Sequence, residues 1–529
     1  MANPAIAEKF ARFKGKRALV MGLGLWQGGV EAVKFLHRWG ASEILVTDLR
    51  DEKTLAPSLE AISYIPVTLR LGEHREADFA RAQVVIHSPA VRPDNRFLVA
   101  AREAGAEVTQ EMSLFIEACP AKTVGITGSN GKTTTTTLTY EMLRWSYAPG
   151  QASLWTQWAD PIPSSDVPDC VEPPEQPPNV WLGGNLGTPL INRLDEIRSR
   201  DIVVLELSSF QLMDWHRICK SCDYSLITNI TPNHLDWHRD FAEYSWAKQA
   251  IFRYGGCQAL LNADDGETTR MFGDVPEHVR LFSLKLPAGK LRLGRRDGQV
   301  VASGVRGQLK LCVEPQEGNT SPSIIQVAQR ADLRLPGEFN WANAVAAAAL
   351  VSRVLDPEDL GNVSRAMRTF RGVEHRLEPC GEVNGARVYN DSIATDPAAT
   401  LAALSAFDKG IHLILGGGTK NIDYTELGKR IATHGGIKAV YLQGTTAPVL
   451  KAAIASAVGV QHAAPLNECA TFDEACERAF KALAPGDVLL MSPASTSFYE
   501  YAPGKKFANF EERGKHFKAL VAQASRLRA

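Results

Sequence analysis

The sequence predicts an α/β protein of three domains with mainly parallel sheets, on three observations. Its 529 residues exceed the roughly 100–200 of an ordinary domain. Short apolar runs alternate with amphipathic helical stretches, the rhythm of parallel strands joined by crossover helices. Glycine turns follow early apolar runs, at the strand ends where such sheets hold their ligands.

The elements follow in order. Arg17 to Leu25 reads as a buried strand entering a glycine turn, followed by a helix over Val30 to Trp39. Strands are predicted at Glu43 to Thr47, ending at Asp48, and at Val84 to Ile86, leading to His87-Ser88-Pro89-Ala90. A second unit opens near Lys122 with the strand Val124 to Thr127, a glycine loop and a helix from about Thr133 to Trp145. Further strands are expected at Ile202 to Leu207, Tyr224 to Asn229 and Ala259 to Asn262, and a helix at Trp341 to Leu355. Ser146 to Asn179 is crowded with proline, which removes backbone donors and blocks helix, and reads as a surface insertion without chemistry of its own. From Gly372 the alternation resumes, with strands at Arg387 to Tyr389, Ile411 to Leu415, Ala439 to Leu442 and Val488 to Met491. Helices at Ala398 to Ala406, Thr425 to Thr433 and Phe472 to Leu483 complete a third α/β domain.

Composition excludes several classes. Hydrophobic residues at 45% and charged residues at 22% match a globular chain. A formal net charge of -1 gives no global attraction for nucleic acid or an anionic membrane. Nine scattered cysteines argue against a disulfide framework and for a reducing compartment. Cys219 and Cys222 form a lone C-x-x-C pair without the second pair a zinc site needs. Neither a cleavable signal nor an apolar stretch of about 20 residues is seen, so a cytoplasmic protein without a membrane span is expected.

The most specific signal is Thr127-Gly128-Ser129-Asn130-Gly131-Lys132-Thr133, set between strand and helix. There glycines let backbone amides wrap phosphate oxygens, and the helix N-terminus adds positive potential. Lys132 would reach the outer phosphates and Thr133 would place its hydroxyl on magnesium. It is a compact G-x-x-G-K-T variant, with Ile126 where the longer pattern has glycine. Gly22-x-Gly24-x-x-x-Gly28 departs by one residue from a dinucleotide fingerprint, and Asp48 follows at the distance of a ribose-binding acid. With a triphosphate loop in the next domain, a nucleotide bearing a sugar fits better than a hydride carrier.

Four ordered motifs then combine: the Thr-Gly-Ser-Asn-Gly-Lys-Thr-Thr loop, Gly183-Gly184-Asn185-Leu186-Gly187, Glu206-Leu207-Ser208-Ser209-Phe210-Gln211, and Asn229-Ile230-Thr231-Pro232-Asn233-His234-Leu235-Asp236. Together they resemble the Mur ligase family. Within it the chain resembles the MurD type, marked by Gly22-Leu23-Gly24-Leu25 and Thr47-Asp48-Leu49-Arg50, and the likeness runs from about Arg17 to Leu520. The resemblance implies a Rossmann-like UDP-substrate domain over 1–120 and a central P-loop ATPase domain over 121–371, interrupted by the insertion at about 146–179. A Rossmann-like amino-acid-binding domain over 372–529 completes the chain.

It also implies a reaction. ATP phosphorylates the carboxylate of UDP-N-acetylmuramoyl-L-alanine, the amine of glutamate attacks the acyl phosphate, and phosphate leaves, within peptidoglycan precursor synthesis. ATP and two magnesium ions are the implied cofactors, and the protein is expected to act as a monomer. In this resemblance Gly128, Ser129, Asn130, Gly131, Lys132, Thr133 and Thr134 hold ATP, with Asn340 and Asn343 on one helical face for its adenine and ribose. Arg376 and Asp391 meet ATP from the third domain after domain closure. Thr133 and Glu206 match ligands of the first magnesium, and His234 and Lys248 the second site, where the family lysine is carbamylated. Leu25, Trp26, Asp48, Arg50, Ser88 and Asn185 correspond to the UDP-substrate site. Thr395, Lys420, Ser497 and Phe510 correspond to the residues that read glutamate.

Two features depart from the family. After Asn390-Asp391-Ser392 relatives usually carry lysine, and this chain has Ile393; the segment Phe498 to Lys506 is longer than the common form. D-glutamate is the default acceptor, an L-glutamate-adding variant is the alternative, and a P-loop ATPase without ligase activity is the rival from another class. The Asp-Asn-Pro-Arg motif of diaminopimelate-adding relatives and the paired histidines of the alanine-adding one are absent.

Overall fold

The computed structural model describes residues 4–25, 27–147, 177–273, 279–293, 296–313, 322–419, 422–457 and 464–526. Trp26, Lys420 and the stretch 148–176 of the proline-rich insertion lie outside the described residues. The described chain forms two compact units, one containing 4–147, 177–332 and 342–367, the other 333–341 and 368–526. Each is taken separately below.

The first unit holds two sheets. The N-terminal sheet is wholly parallel, in the order Thr68–Leu71, Glu43–Asp48, Arg17–Met21, Val84–His87, Glu107–Thr109. Its central strands are apolar on both faces because helices cover both, the burial expected of parallel sheets. The helix after the first glycine turn spans Gly28–Arg38. The second sheet has ten strands around the parallel set Gln258–Asn262, Tyr224–Ile227, Lys122–Thr127, Ile202–Glu206, Val180–Gly184. One continuous core, from Phe10 and Phe35 through Phe115 to Leu205, Trp215 and Leu261, joins the two sheets into a single unit.

The sequence reading misses the far side of this sheet. Arg280–Ser283 and Arg296–Ser303 continue the parallel run, and Gly289–Leu293, Gln308–Val313 and Ser323–Gln329 extend it with antiparallel pairing. Ser323–Gln329 is mostly exposed and its polar residues do not alternate cleanly, so the period-two signal is weak. The helix expected from Trp341 begins earlier, at Glu338, directly after Gly337 with its positive φ of 87°.

The second unit carries a six-stranded sheet, Glu378–Val383, Ala386–Asn390, Val488–Met491, Ile411–Leu415, Ile437–Leu442, Leu466–Glu468, parallel except for its first strand. Val488–Met491 lies between Ala386–Asn390 and Ile411–Leu415, so the turns after these three strands emerge along one edge. The Phe498 to Lys506 segment contains a two-stranded hairpin, Glu500–Ala502 with Lys505–Lys506. Among the described residues no helix is long and apolar enough to cross a membrane.

Candidate active site

Strand order builds the first half of the site. Lys122–Thr127 is central, with Ile126 in register with Glu206 on one side and Leu226 on the other. The glycine loop therefore leaves its strand between the ends bearing Glu206 and Thr228, and Gly184 in register with Glu206 brings in Asn185. Asn185 donates through Nδ2 to Glu206 Oε1 at 3.3 Å and through its backbone N–H to the Glu206 carbonyl at 2.7 Å. Helix Ser209–Ile218 starts immediately beyond, closed by a capping box between Ser208 and Gln211.

The loop tolerates no side chain at its glycines. Gly128 has a φ of 149°, and a Cβ there would meet Thr228 Oγ1 at 1.9 Å. Gly131 has a φ of 81°, and its Cβ would meet Asn343 Oδ1 at 2.2 Å. The peptide groups are braced from outside: Thr228 Oγ1 donates to the Asn130 carbonyl at 2.6 Å, and Asn130 N–H donates to Asn229 Oδ1 at 3.0 Å. Ser129 Oγ bonds the Thr231 carbonyl and the Tyr244 hydroxyl, both at 2.9 Å. Asn343 Oδ1 accepts from Thr135 Oγ1 at 3.4 Å.

Charge is concentrated here. Lys132 curls over its own loop, donating to the Gly128 and Ser129 carbonyls at 3.0 Å each. Lys248, on helix Phe241–Arg253, is buried and donates to Thr127 Oγ1 at 3.1 Å and the Gly128 carbonyl at 2.9 Å. Burial, and then the Lys132 ammonium, push its pKa well down, against the pull of Glu206. His234, with a φ of 54°, sits edge-on to Phe210 at 4.9 Å, and its pKa is lowered by burial and by Lys132 and Lys248. Glu206 is 3% exposed, and its Oε2 has no hydrogen-bond partner among the described residues. A buried carboxylate oxygen left bare is costly unless a cation or donor reaches it.

The N-terminal sheet places its candidates around the first glycine turn. Asp48 is buried and accepts from Gly24 N–H at 3.0 Å, Arg50 N–H at 2.9 Å and Arg50 Nη1 at 3.3 Å. Ser88 lies against Gly22, whose Cβ would be 3.0 Å from the serine Cβ, and Leu25 is exposed. A contact absent from the sequence reading ties this region to the His234 loop. Trp237 Nε1 donates to the Ala90 carbonyl at 2.8 Å, while Arg92 lies 5.2 Å from the Trp237 ring centre and donates to the Trp237 carbonyl.

In the second unit Asp391 is buried, accepting from Leu377 N–H at 3.1 Å and Ser492 Oγ at 2.7 Å. Burial raises its pKa to about 7, against the hydrogen bond from Ser492 and the charge of Arg376. Arg376 follows His375, whose Nδ1 pairs with Asn390 Nδ2 at 2.9 Å, and Lys518 neutralises Glu374 and Glu378 at 2.5 and 2.9 Å. The turn before Thr395 is bonded to the helix start at Phe510, Ser392 Oγ donating to the Phe510 carbonyl at 2.7 Å, and the turn bearing Ser497 is bonded to the Gly416 to Gly418 turn, Gly418 N–H donating to the Thr496 carbonyl at 2.8 Å. Asn340 is buried and donates to the Pro336 carbonyl at 2.7 Å. The structure thus brings the phosphate loop, Glu206, Asn185, His234, Lys248 and Asn343 together in the first unit, and Arg376, Asp391, Thr395, Ser497 and Phe510 in the second.

Comparison with known proteins gives this geometry a family. Family models match residues 16–110 (Mur ligase MurD-like, N-terminal domain), 126–351 (Mur ligase middle domain) and 375–495 (Mur ligase, glutamate ligase domain). The UDP-N-acetylmuramoylalanine--D-glutamate ligase of Acetivibrio thermocellus is 36% identical over 515 residues, covering 96% of this chain and 97% of its own. The chain belongs to the Mur ligase family. The like-named ligase of Roseiflexus sp. is also 36% identical, over 514 residues, 96% of this chain and 98% of its own. Among solved structures, MurF from Acinetobacter baumannii shares the three-domain Mur ligase fold at a TM-score of 0.54, with 15% identity and 99% of each chain covered. MurC from Thermotoga maritima does so at 0.52, with 18% identity, 96% of this chain and 100% of its own. Membership makes the protein an ATP-dependent, amide-bond-forming ligase.

Proposed function

We propose that this Mur ligase joins D-glutamate to UDP-N-acetylmuramoyl-L-alanine at the expense of ATP, in peptidoglycan precursor synthesis. The relatives at 35–36% identity over nearly their whole length carry that activity in their names. The observation that carries the reading is Glu206: a buried carboxylate with one bare oxygen, beside a rigid phosphate loop and bonded to Asn185.

The residues take distinct roles. The amides of Gly128 to Thr134, with Lys132, bind and neutralise the triphosphate, and Asn343 and Asn340 face its nucleoside. Thr133, Glu206, His234 and Lys248 would hold two magnesium ions, which lower the charge repulsion between triphosphate and carboxylate. The bare Glu206 oxygen fits such an ion. Lys248 fits only as a carbamate, since an ammonium repels a cation; its depressed pKa favours the free amine, the form to which carbon dioxide adds with loss of a proton. Asn185, with Leu25, Asp48, Arg50 and Ser88, orients the UDP-linked substrate, so that a carboxylate oxygen attacks the γ-phosphorus and ADP leaves. Thr395, Ser497 and Phe510 present glutamate, whose neutral amine attacks the acyl carbon, loses a proton and expels phosphate. Arg376 and Asp391 contact the nucleotide.

The test offers the purified protein UDP-N-acetylmuramoyl-L-alanine, ATP and magnesium with D- or L-glutamate, following ADP and amide product by mass. D-glutamate alone should give both in equal amounts. Product with L-glutamate alone would overturn the stereochemistry, and ADP formation indifferent to either acceptor would favour a plain ATPase.

A further inference from the structure

The second unit contains a large buried cation to which the reading above gives no role. Arg513, one turn into helix Phe510–Arg526, is 0% exposed. Its Nε donates to Ser392 Oγ at 3.0 Å and its Nη2 to the Ser392 carbonyl at 2.8 Å. Its Nη1 donates to the carbonyls of Ser495 at 3.1 Å and Thr496 at 3.2 Å. All these acceptors are neutral, and burial pushes the guanidinium down to about 10, so it stays charged near neutral pH. A dehydrated cation whose hydrogen bonds all go to neutral groups, and which Tyr499 and Asp391 favour less than burial disfavours it, costs more than the apolar side chain that could fill the same volume. Packing alone therefore does not explain an arginine here.

What it holds does. Ser392 lies three residues before Thr395, Ser495 and Thr496 directly precede Ser497, and Phe510 is one turn back on the same helix. Ser392 also donates to the Phe510 carbonyl, and the Thr496 carbonyl also accepts from Gly418, which draws in the turn Gly416 to Gly418. The assembly is tight, since a Cβ on Gly417 would stand 2.4 Å from the Thr496 oxygen and 3.2 Å from Arg513 Nη1. In a trans peptide C=O and N–H point oppositely, so anchoring the Thr496 carbonyl turns the Ser497 N–H to the side away from Arg513. Ile393, where relatives usually carry lysine, leaves that position without a charge.

We propose that Arg513 is the positioning residue of the acceptor pocket and the buried positive charge that selects a dicarboxylic amino acid there, an inference that rests on the glutamate reading above. The guanidinium fixes three turns in one geometry. Its charge, poorly screened in the interior, favours an anionic ligand over its uncharged amide.

The test compares the full-length wild type with Arg513→Gln and Arg513→Lys, using UDP-N-acetylmuramoyl-L-alanine, ATP and either D-glutamate or D-glutamine, with melting temperature as a check of folding. In Arg513→Gln the KM for D-glutamate should rise about tenfold or more while those for ATP and the UDP-linked substrate stay within about twofold. The kcat/KM preference for D-glutamate over D-glutamine should fall by a similar factor. Arg513→Lys should recover the preference but not the KM. An unchanged KM for D-glutamate, all three KM values rising together, or a lysine variant no more selective than the glutamine one would each overturn the proposal. Should Arg513→Gln fail to fold, Arg513→Lys decides alone: preference kept with a raised KM supports it, preference lost refutes it. A wild type that ignores glutamate would instead remove the assignment beneath it, and this proposal with it.

Discussion

In the phosphate-loop region Lys248 feels both the Lys132 ammonium and the Glu206 carboxylate, and one oxygen of that carboxylate has no hydrogen-bond partner among the described residues. In the C-terminal unit a single guanidinium, Arg513, is enclosed by carbonyls and a hydroxyl that take four of its five N–H donors. The first region leaves a buried carboxylate oxygen bare for a cation, beside the loop for a polyanion. The second is satisfied in advance and acts by holding turns still. Catalytic groups should thus fail steeply when their charge is removed, and positioning groups should shift affinity for one substrate.

The largest effect should come from Lys132→Ala, with turnover falling about a thousandfold or more, since nothing else in the loop supplies a mobile cation to the phosphates. Steady-state ADP release measures it, and a variant within tenfold of wild type would erase the contrast. Glu206→Gln keeps the size and the hydrogen bond with Asn185 but removes the charge, so a loss of about a hundredfold is expected, together with a higher magnesium requirement. Gly131→Ala tests geometry rather than charge: its Cβ would run into Asn343 Oδ1 at 2.2 Å, so the KM for ATP should rise roughly tenfold.

The smallest effect sharpens the other side. Asp391 has its pKa raised from 3.8 to about 7 by burial. Between those values the folded chain holds a proton that the unfolded chain has lost, so its stabilising contribution is complete at low pH and disappears as pH rises through about 7. Asp391→Asn keeps an oxygen to accept from Leu377 N–H and puts an NH2, which donates to the Ser492 hydroxyl, in place of the other oxygen, without the buried charge. Its melting temperature relative to wild type should therefore be higher at about pH 8 than at about pH 5, by the equivalent of on the order of 2 kcal/mol. A pH-independent difference would show that Asp391 ionises normally.

The same contrast explains what the sequence makes legible. The phosphate loop is one contiguous stretch with a strand before and a helix after, so Gly128 to Thr134 could be read directly, and Glu206 stands at the end of an apolar strand. Its braces could not be read: Thr228 and Asn229 hold the Asn130 peptide from almost 100 residues away, a fact of strand order alone. Arg513 gives no local signal, because an arginine in the first turns of an amphipathic helix reads as solvated, and only folding places it beneath Ser392 and Ser495. Trp237 on Ala90 is of the same kind. Ser323–Gln329, on the antiparallel side of the central sheet, is not legible because a half-exposed strand loses its alternation, whereas buried parallel strands declare themselves as apolar runs.

The most direct measurement follows an oxygen atom. With the L-alanyl carboxylate of UDP-N-acetylmuramoyl-L-alanine labelled with oxygen-18 and D-glutamate supplied, each turnover should release phosphate carrying one labelled oxygen, because that carboxylate attacks the γ-phosphorus and its oxygen departs with it. Phosphate released without label would mean that the γ-phosphoryl group goes to water, and the site built around Lys132 and Glu206 would then not be that of a ligase.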